Sequence, residues 1–388
     1  MSSSLVDRES TVDLLKDLVK IDSVNPSLVK GAAGEAEIAE FLSDYMQGLG
    51  LRTAVEEVDT GRPNVVGVLE GEEQGPSLLL NGHTDTVGVD YMDVDPFNPV
   101  IRDGKLYGRG AFDMKGGLAS IVAATKAVVE SDRKLRGNLV ISAVCDEEYA
   151  SIGTERLMND ILPDAAIIGE PTELDILVAH KGFSWVEIVT RGFAAHGSQH
   201  EKGIDAIAMM GRVLVELEKL QGGLARKTHE KVGHPTLHAS IIEGGSELST
   251  YPDCCVLKIE WRTVPGEDES TIRNEIESVL SGLASRDGNF KADYEIILSR
   301  GPMEVSENES ICQSLANVIL EVTGRVPEYI GRPFWLDTEI IWRKGVPAVA
   351  FGPSGDGAHA AVEYVNVESV ITAARVLERF AHSYLGSI

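Results

Sequence analysis

At 388 residues the chain is longer than one ordinary core accommodates, so two domains are expected. A formal charge of −26 argues against nucleic acid, whose phosphates it would repel, and against an anionic membrane surface. Hydrophobic residues at 43% and charged residues at 25% are ordinary for a globular chain, and no apolar run approaches the roughly 20 residues that span a bilayer.

The opening residues MSSSLVDREST carry neither a basic nor an apolar leader segment. The four cysteines (Cys145, Cys254, Cys255 and Cys312) form no CxxC, so a reducing, cytoplasmic setting is expected. Ser10 to Ile21 reads as an amphipathic helix behind a Ser-x-x-Asp start, and Glu35 to Leu49 as a second helix closed by glycines. Strands follow at Asn64–Gly71 and Ser77–Gly82, then a helix at Lys115–Val129 and a strand at Asn138–Val144. A short helix at Ile152–Met158 and the buried strand Ala165–Ile168 continue an alternation that predicts an α/β fold with a mainly parallel central sheet.

After His180 the pattern changes. Phe183 to Arg191 alternates apolar and polar residues, as a strand with one solvated face does. A helix at Ile204–Leu220, strands near Leu237–Ile242 and Val256–Thr263, a helix at Glu269–Leu283 and a strand at Asp293–Leu298 make an α+β unit of antiparallel character. A helix at Asn308–Val322, a strand at Val346–Phe351 and a last helix at Val367–Leu385 return to the first style. The expected organisation is a discontinuous catalytic domain, residues 1–181 and 297–388, interrupted by an inserted α+β domain, residues 182–296.

Five acid or histidine positions lie at or near the ends of predicted strands. His83, with Asp85, follows the run Leu78–Leu80; Asp113 lies between glycine pairs; Asp146-Glu147-Glu148 follows LVISAV; Glu170 follows Ile167-Ile168; His359 lies in GPSGDGAHAAVEYV. Taken singly each has an ordinary explanation, such as a hydrogen-bonded histidine, a helix cap or a solvated acidic loop. Together they suit divalent metal, because histidine and carboxylate bind zinc and its neighbours and open α/β sheets bind ligands beyond the strands' carboxyl ends. The glycines around Asp113 make no dinucleotide fingerprint, since Asp113 stands where a third glycine is needed. Cys145, beside the acidic run, could be a nucleophile, but the apolar run before it favours a small buried strand residue.

The motifs GHTDTV, YGRGAFDMKGG, DEE followed by Gly153-Thr154, GEPT and AHAAVE resemble those of the M20 family of metallopeptidases and deacylases, along essentially the whole chain. The resemblance implies that His83 and Glu170 hold one metal ion, Glu148 and His359 another, and that Asp113 bridges them. It makes Glu147 the general base and Asp85 the partner of His83. Two divalent ions, zinc first and cobalt as the alternative, would balance three ligand carboxylates and a bridging hydroxide. The inserted segment resembles the family's dimerisation domain, which implies a homodimer. In it His196 (RGFAAHGSQ) would stabilise the oxyanion of the other copy's site, and Arg262 (IEWRTVPGE) would pair with a substrate carboxylate in bidentate fashion. Near Ser249 the chain departs from the asparagine that many members carry. Gly355 and Gly357 would either leave N–H groups open to an anionic substrate end or form a simple tight turn. The implied activity is hydrolysis of an N-acyl amino acid, with N-acetylornithine first, N-succinyl-diaminopimelate second and a dipeptide or other short peptide third. A metal-binding protein without catalysis is disfavoured, because all five ligand positions and Glu147 are intact.

Overall fold

The computed structural model describes residues 4–387; the first three residues of the segment read for a leader, and the last residue of the chain, lie outside them. The chain forms two compact units. The first comprises Met1–Val178, Val305–Ile330 and Leu336–Ile388, and the second Ala179–Glu304 with Gly331–Trp335.

In the first unit four short apolar strands lie parallel in the order Leu139–Val144, Leu78–His83, Ala165–Ile168, Ala348–Ala350. Every residue of these four strands is buried, which is why they read as mostly apolar runs rather than as an alternation. The helices Gly116–Glu130 and Ile152–Asp160 supply crossovers between successive parallel strands. Outside this centre the sheet turns antiparallel, with Arg62–Leu69 and Arg52–Asp59 on one flank and Ile176–His180 on the other. Helix Gly116–Glu130 packs against Val367–Leu385 and is buried almost all round, as its uniformly apolar sequence requires. A second small sheet pairs Val100–Arg102, Lys105–Tyr107, Tyr364–Asn366 and Gly355–Asp356.

The first helix begins earlier than expected, at Arg8, because the Asp7 side chain accepts the Ser10 N–H at 2.8 Å and so caps the first turn. Four cysteines are free, and Cys145 is fully buried, which raises its thiol pKa and makes it a packing residue rather than a nucleophile. No helix among the described residues is long and apolar enough to cross a membrane.

The second unit is an antiparallel sheet in the order Thr236–Gly244, Cys254–Thr263, Gly182–Arg191, Ala292–Arg300. Alternate residues of Cys254–Thr263 are buried, and they pack with helices Ala206–Leu224 and Glu269–Arg286 in one core around Trp261, Met210 and Ile272. The edge strand Thr236–Gly244 exposes Ile241 and Ile242, on opposite faces of the sheet, each about half accessible (53% and 52%).

Candidate metal centre

Parallel pairing places the chemistry. His83 is the last residue of its strand and lies opposite Val144, so the Asp146–Glu148 turn emerges beside it. On the other side Asn81 lies opposite Ile168, and Glu170 follows two residues later. Asp113 comes from the turn that leads into helix Gly116–Glu130. That helix approaches the Glu170 strand end so closely that a Cβ on Gly117 would lie 1.8 Å from the Gly169 carbonyl oxygen, so glycine is required there. His359 lies in the loop between the paired segments Gly355–Asp356 and Tyr364–Asn366, not directly after the Ala348–Ala350 strand.

These elements bring the five predicted ligand positions into two sets that share Asp113. One set is His83, Asp113 and Glu170, and the other is Asp113, Glu148 and His359, the donor atoms of each lying within 4.8 Å of one another. His83 Nε2 is 3.2 Å from Asp113 Oδ1 and 3.6 Å from Glu170 Oε1. His359 Nε2 is 2.9 Å from Glu148 Oε2 and 3.4 Å from Asp113 Oδ2. Thus each oxygen of one carboxylate faces a different histidine. Glu147 stands beside the first set, with Oε2 at 4.0 Å from His83 Nε2, and belongs to neither.

Asp85 meets His83 through its main chain. The His83 Nδ1–H donates to the Asp85 main-chain carbonyl at 2.9 Å, whereas the nearer carboxylate oxygen is 3.6 Å away. The carboxylate instead accepts the Glu147 and Glu148 N–H groups, both at 3.1 Å, and the Asn25 amide at 2.8 Å. The residue therefore sets the His83 tautomer through its backbone and the two glutamates through its side chain. With Nδ1 so engaged, Nε2 is the nitrogen turned to the carboxylates, where it holds a proton or, once that proton is lost, can ligate a cation.

The electrostatics say the same. Burial pushes the Glu147, Glu148 and Glu170 carboxyls up, Glu148 to about 7, and neighbouring carboxylates add to this against the partial relief from the histidines. Burial opposes charge on His83, yet its hydrogen bond to Asp113 and the charges of Glu170, Glu147 and Asp85 raise it well above the ordinary imidazole value. Hydrogen bonds to Asp113 and Glu148 raise His359 to about 11, against a smaller effect of burial. Negative charge is in excess, and Glu170 Oε1 is buried with no hydrogen-bond partner. The donor set fits two divalent cations.

Several supporting residues have no local signal in the sequence. The fully buried Glu363 accepts N–H from Gly110 at 3.0 Å, Phe112 at 2.9 Å and Asp113 at 3.1 Å, and pairs with the buried Arg109 at 2.7 Å. Both residues fall inside quoted motifs, so their presence was visible but their partnership was not. Asp337 is buried, accepts from Thr154 at 2.5 Å, and is raised to about 6 by burial, adding negative charge near Glu147 and Glu170. Arg62 joins Glu35 to Asp146, which adopts a left-handed backbone at φ 69° where the acidic turn begins. Removing one partner of a buried ion pair strands the other, so Glu35→Ala is expected to lower unfolding stability by about 3 kcal/mol. Denaturant unfolding of the first unit measures it, and an unchanged midpoint would remove this network from the account.

The remaining predicted residues lie in the second unit. His196 is exposed, and its Nδ1 accepts the Ser198 N–H at 3.2 Å, which leaves the proton on Nε2. Arg262 Nε donates to Glu260 at 2.7 Å, and its guanidinium lies 5.3 Å from the Phe183 ring centroid. Ser249 accepts the Gly197 N–H through its carbonyl at 2.7 Å. In the first unit the N–H groups of Gly355 and Gly357 are taken by Glu173 at 3.2 Å and Asp356 at 2.8 Å, so the glycines serve the turn and offer nothing to an anion.

An open α/β sheet with two histidine–carboxylate sets sharing one aspartate beyond its strand ends has the make-up of a metal-dependent hydrolase. The model for Peptidase family M20/M25/M40 matches residues 79–383. Acetylornithine deacetylase of Myxococcus xanthus is 29% identical over 384 residues, covering 96% of this chain and 97% of its own length. Among solved structures, aminopeptidase PepT of Bacillus cereus superposes with a TM-score of 0.79 at 20% identity, covering 98% of this chain and 99% of that one. A dinuclear metal-binding peptidase of the M20 family from Bacillus subtilis superposes with a TM-score of 0.73 at 16% identity, with 98% and 99% covered. These two likenesses speak for the fold. The chain belongs to the M20 family.

Proposed function

We propose that the protein hydrolyses the amide bond of an N-acyl amino acid, with N-acetylornithine as its substrate. The observation that carries the reaction is the Asp113 carboxylate turned to both histidines, with Glu147 beside it and free of either set. The substrate rests on full-length similarity to acetylornithine deacetylases.

In this reading His83, Glu170 and Asp113 hold one divalent ion, and Asp113, Glu148 and His359 hold the other, zinc or cobalt. When bound, the ions polarise the scissile carbonyl and make a water a better acid. Glu147 takes a proton from that water and delivers it to the leaving amine, a task for a carboxylate not spent on metal. Asp85 keeps Glu147 and Glu148 apart in role by fixing consecutive N–H groups, so that their side chains diverge. Arg262 pairs with the substrate carboxylate, its nitrogens beyond Nε being free of partners among the described residues. His196, protonated on Nε2, donates to the oxyanion in the other copy of a homodimer, with the second unit, Ala179–Glu304 and Gly331–Trp335 where residues 182–296 were expected, as the dimerisation domain. The exposed edge strand with Ile241 and Ile242 supports that assembly, because an unpaired apolar edge invites a second chain.

The test is amide hydrolysis by zinc- or cobalt-loaded protein on N-acetylornithine, N-succinyl-diaminopimelate, other acyl-amino acids and dipeptides. Preference for N-acetylornithine by kcat/KM is expected. Preference for succinylated substrate or for peptides would keep the mechanism and replace the substrate. Silence on all of them, with two ions bound per chain, would overturn the acyl-amino-acid reading.

A further inference from the structure

His359 is the outermost ligand position of the centre, with a side chain 53% accessible against 1% for His83. Its backbone is also unusual, with φ 59° in the left-handed region that non-glycine residues seldom adopt. Such a conformation persists only where surrounding contacts over-determine it.

Those contacts form a clear set. Three consecutive carbonyls of the loop are each captured by a different group. The Tyr91 hydroxyl donates to the His359 carbonyl at 3.0 Å, Arg109 Nη2 to the Ala360 carbonyl at 3.2 Å, and the Asp93 N–H to the Ala361 carbonyl at 2.8 Å. Arg109 Nη2 also reaches the Gly88 carbonyl at 3.1 Å, and its guanidinium carbon lies 5.8 Å from the Tyr91 ring centroid, so the 88–93 segment and the His359 loop share one clamp. The same arginine pairs with Glu363, which holds the Asp113 N–H. Of these groups only the Tyr91 phenol is a side-chain donor outside the buried core, at 52% exposure.

We infer that Tyr91 is a positioning residue for the His359 side of the centre: its hydroxyl holds the left-handed turn that presents His359 Nε2 to Glu148 and Asp113. The inference rests on the reading of His359 as a metal ligand. Tyr91 reaches the His359 main chain and belongs to neither ligand set. It restricts the motion of an exposed ligand, and so acts on the ion held by Glu148 and His359 rather than on the ion held by His83 and Glu170. Partners of a ligating histidine typically change metal affinity by about 10–100-fold, and a bond to the ligand's own backbone belongs at the lower end of that range.

Tyr91→Phe keeps the ring against Arg109 and removes only the donor, and at an exposed position it leaves the fold intact. The experiment is stepwise cobalt titration of metal-free protein, followed by calorimetry and by the visible absorption of each equivalent. In Tyr91→Phe one of the two equivalents should match the unaltered chain in affinity and spectrum. The other should bind about tenfold more weakly, with a displaced spectrum, because its histidine is less well held. A general loosening of the fold would move both equivalents together, and that result would overturn the inference. So would equal affinities and spectra for both equivalents in the two proteins, while leaving the two-ion reading in place. Uptake of fewer than two ions by the unaltered chain would overturn that reading, and the inference with it.

Discussion

Glu147→Gln should bind two divalent ions per chain as the unaltered protein does, and lose turnover by about 10²- to 10⁴-fold, the usual contribution of a positioned general base. The reasoning is geometric first. Glu147 Oε2 stands 4.0 Å from His83 Nε2, beyond Asp113 at 3.2 Å and Glu170 at 3.6 Å, so metal retention does not depend on it. Its backbone N–H is fixed on Asp85, and glutamine leaves that bond untouched. Burial, with the nearby charges of Glu170, Asp337 and Glu148, favours the protonated carboxyl, while His83 and any bound cation favour the anion. A carboxyl balanced between such influences can both accept and return a proton. An amide of the same shape can do neither. Metal content by elemental analysis and kcat on the best substrate decide the matter. Full turnover in Glu147→Gln would remove the residue from the mechanism, whereas loss of metal would make it a ligand instead.

Much of this site was legible because each component carries its own punctuation. Apolar runs ending in Asn-Gly, Gly-Glu-Pro or three acids mark strand ends, and the parallel sheet then gathers those ends by rule. The strand Ala165–Ile168 and the helix Val367–Leu385 lie where their uninterrupted patterns put them. Other parts had no such mark. The strand Arg52–Asp59 is mostly solvated along its length, and the small sheet around Tyr107 and Tyr364 uses strands of two or three residues. Neither leaves a usable period. The supports are harder still: Arg62 meets a carboxylate 84 positions away, and Asp113 is held by one 250 positions away. Pairings at that separation exist only once the fold has formed. Asp85 was recognised as important, but its division of labour between carbonyl and carboxylate is a matter of side-chain direction, which spacing does not contain.

Asp113→Asn should be the most damaging single change, abolishing both metal equivalents and turnover together. One carboxylate serves two sets, with Oδ1 toward His83 and Oδ2 toward His359, so its replacement removes a donor and a charge from each. Losing an outer partner of a ligand weakens metal binding by about 10–100-fold, and losing a shared inner ligand must exceed that for both ions. The contrast with Glu147→Gln gives the experiment its force, since one variant should separate turnover from metal and the other should not. Fold collapse is not the expected cause, because Glu363 receives the Phe112 and Asp113 N–H groups whatever the side chain at position 113. Circular dichroism should therefore match the unaltered protein while elemental analysis finds metal absent. The same change relieves Glu148, whose carboxyl burial and Asp113 together push up to about 7, and removes the carboxylate that pairs with His83 and His359, so its two effects on the metal-free fold oppose each other. Two ions in folded Asp113→Asn would mean that the histidine sets are independent sites, and the shared-carboxylate account of the centre would have to be abandoned.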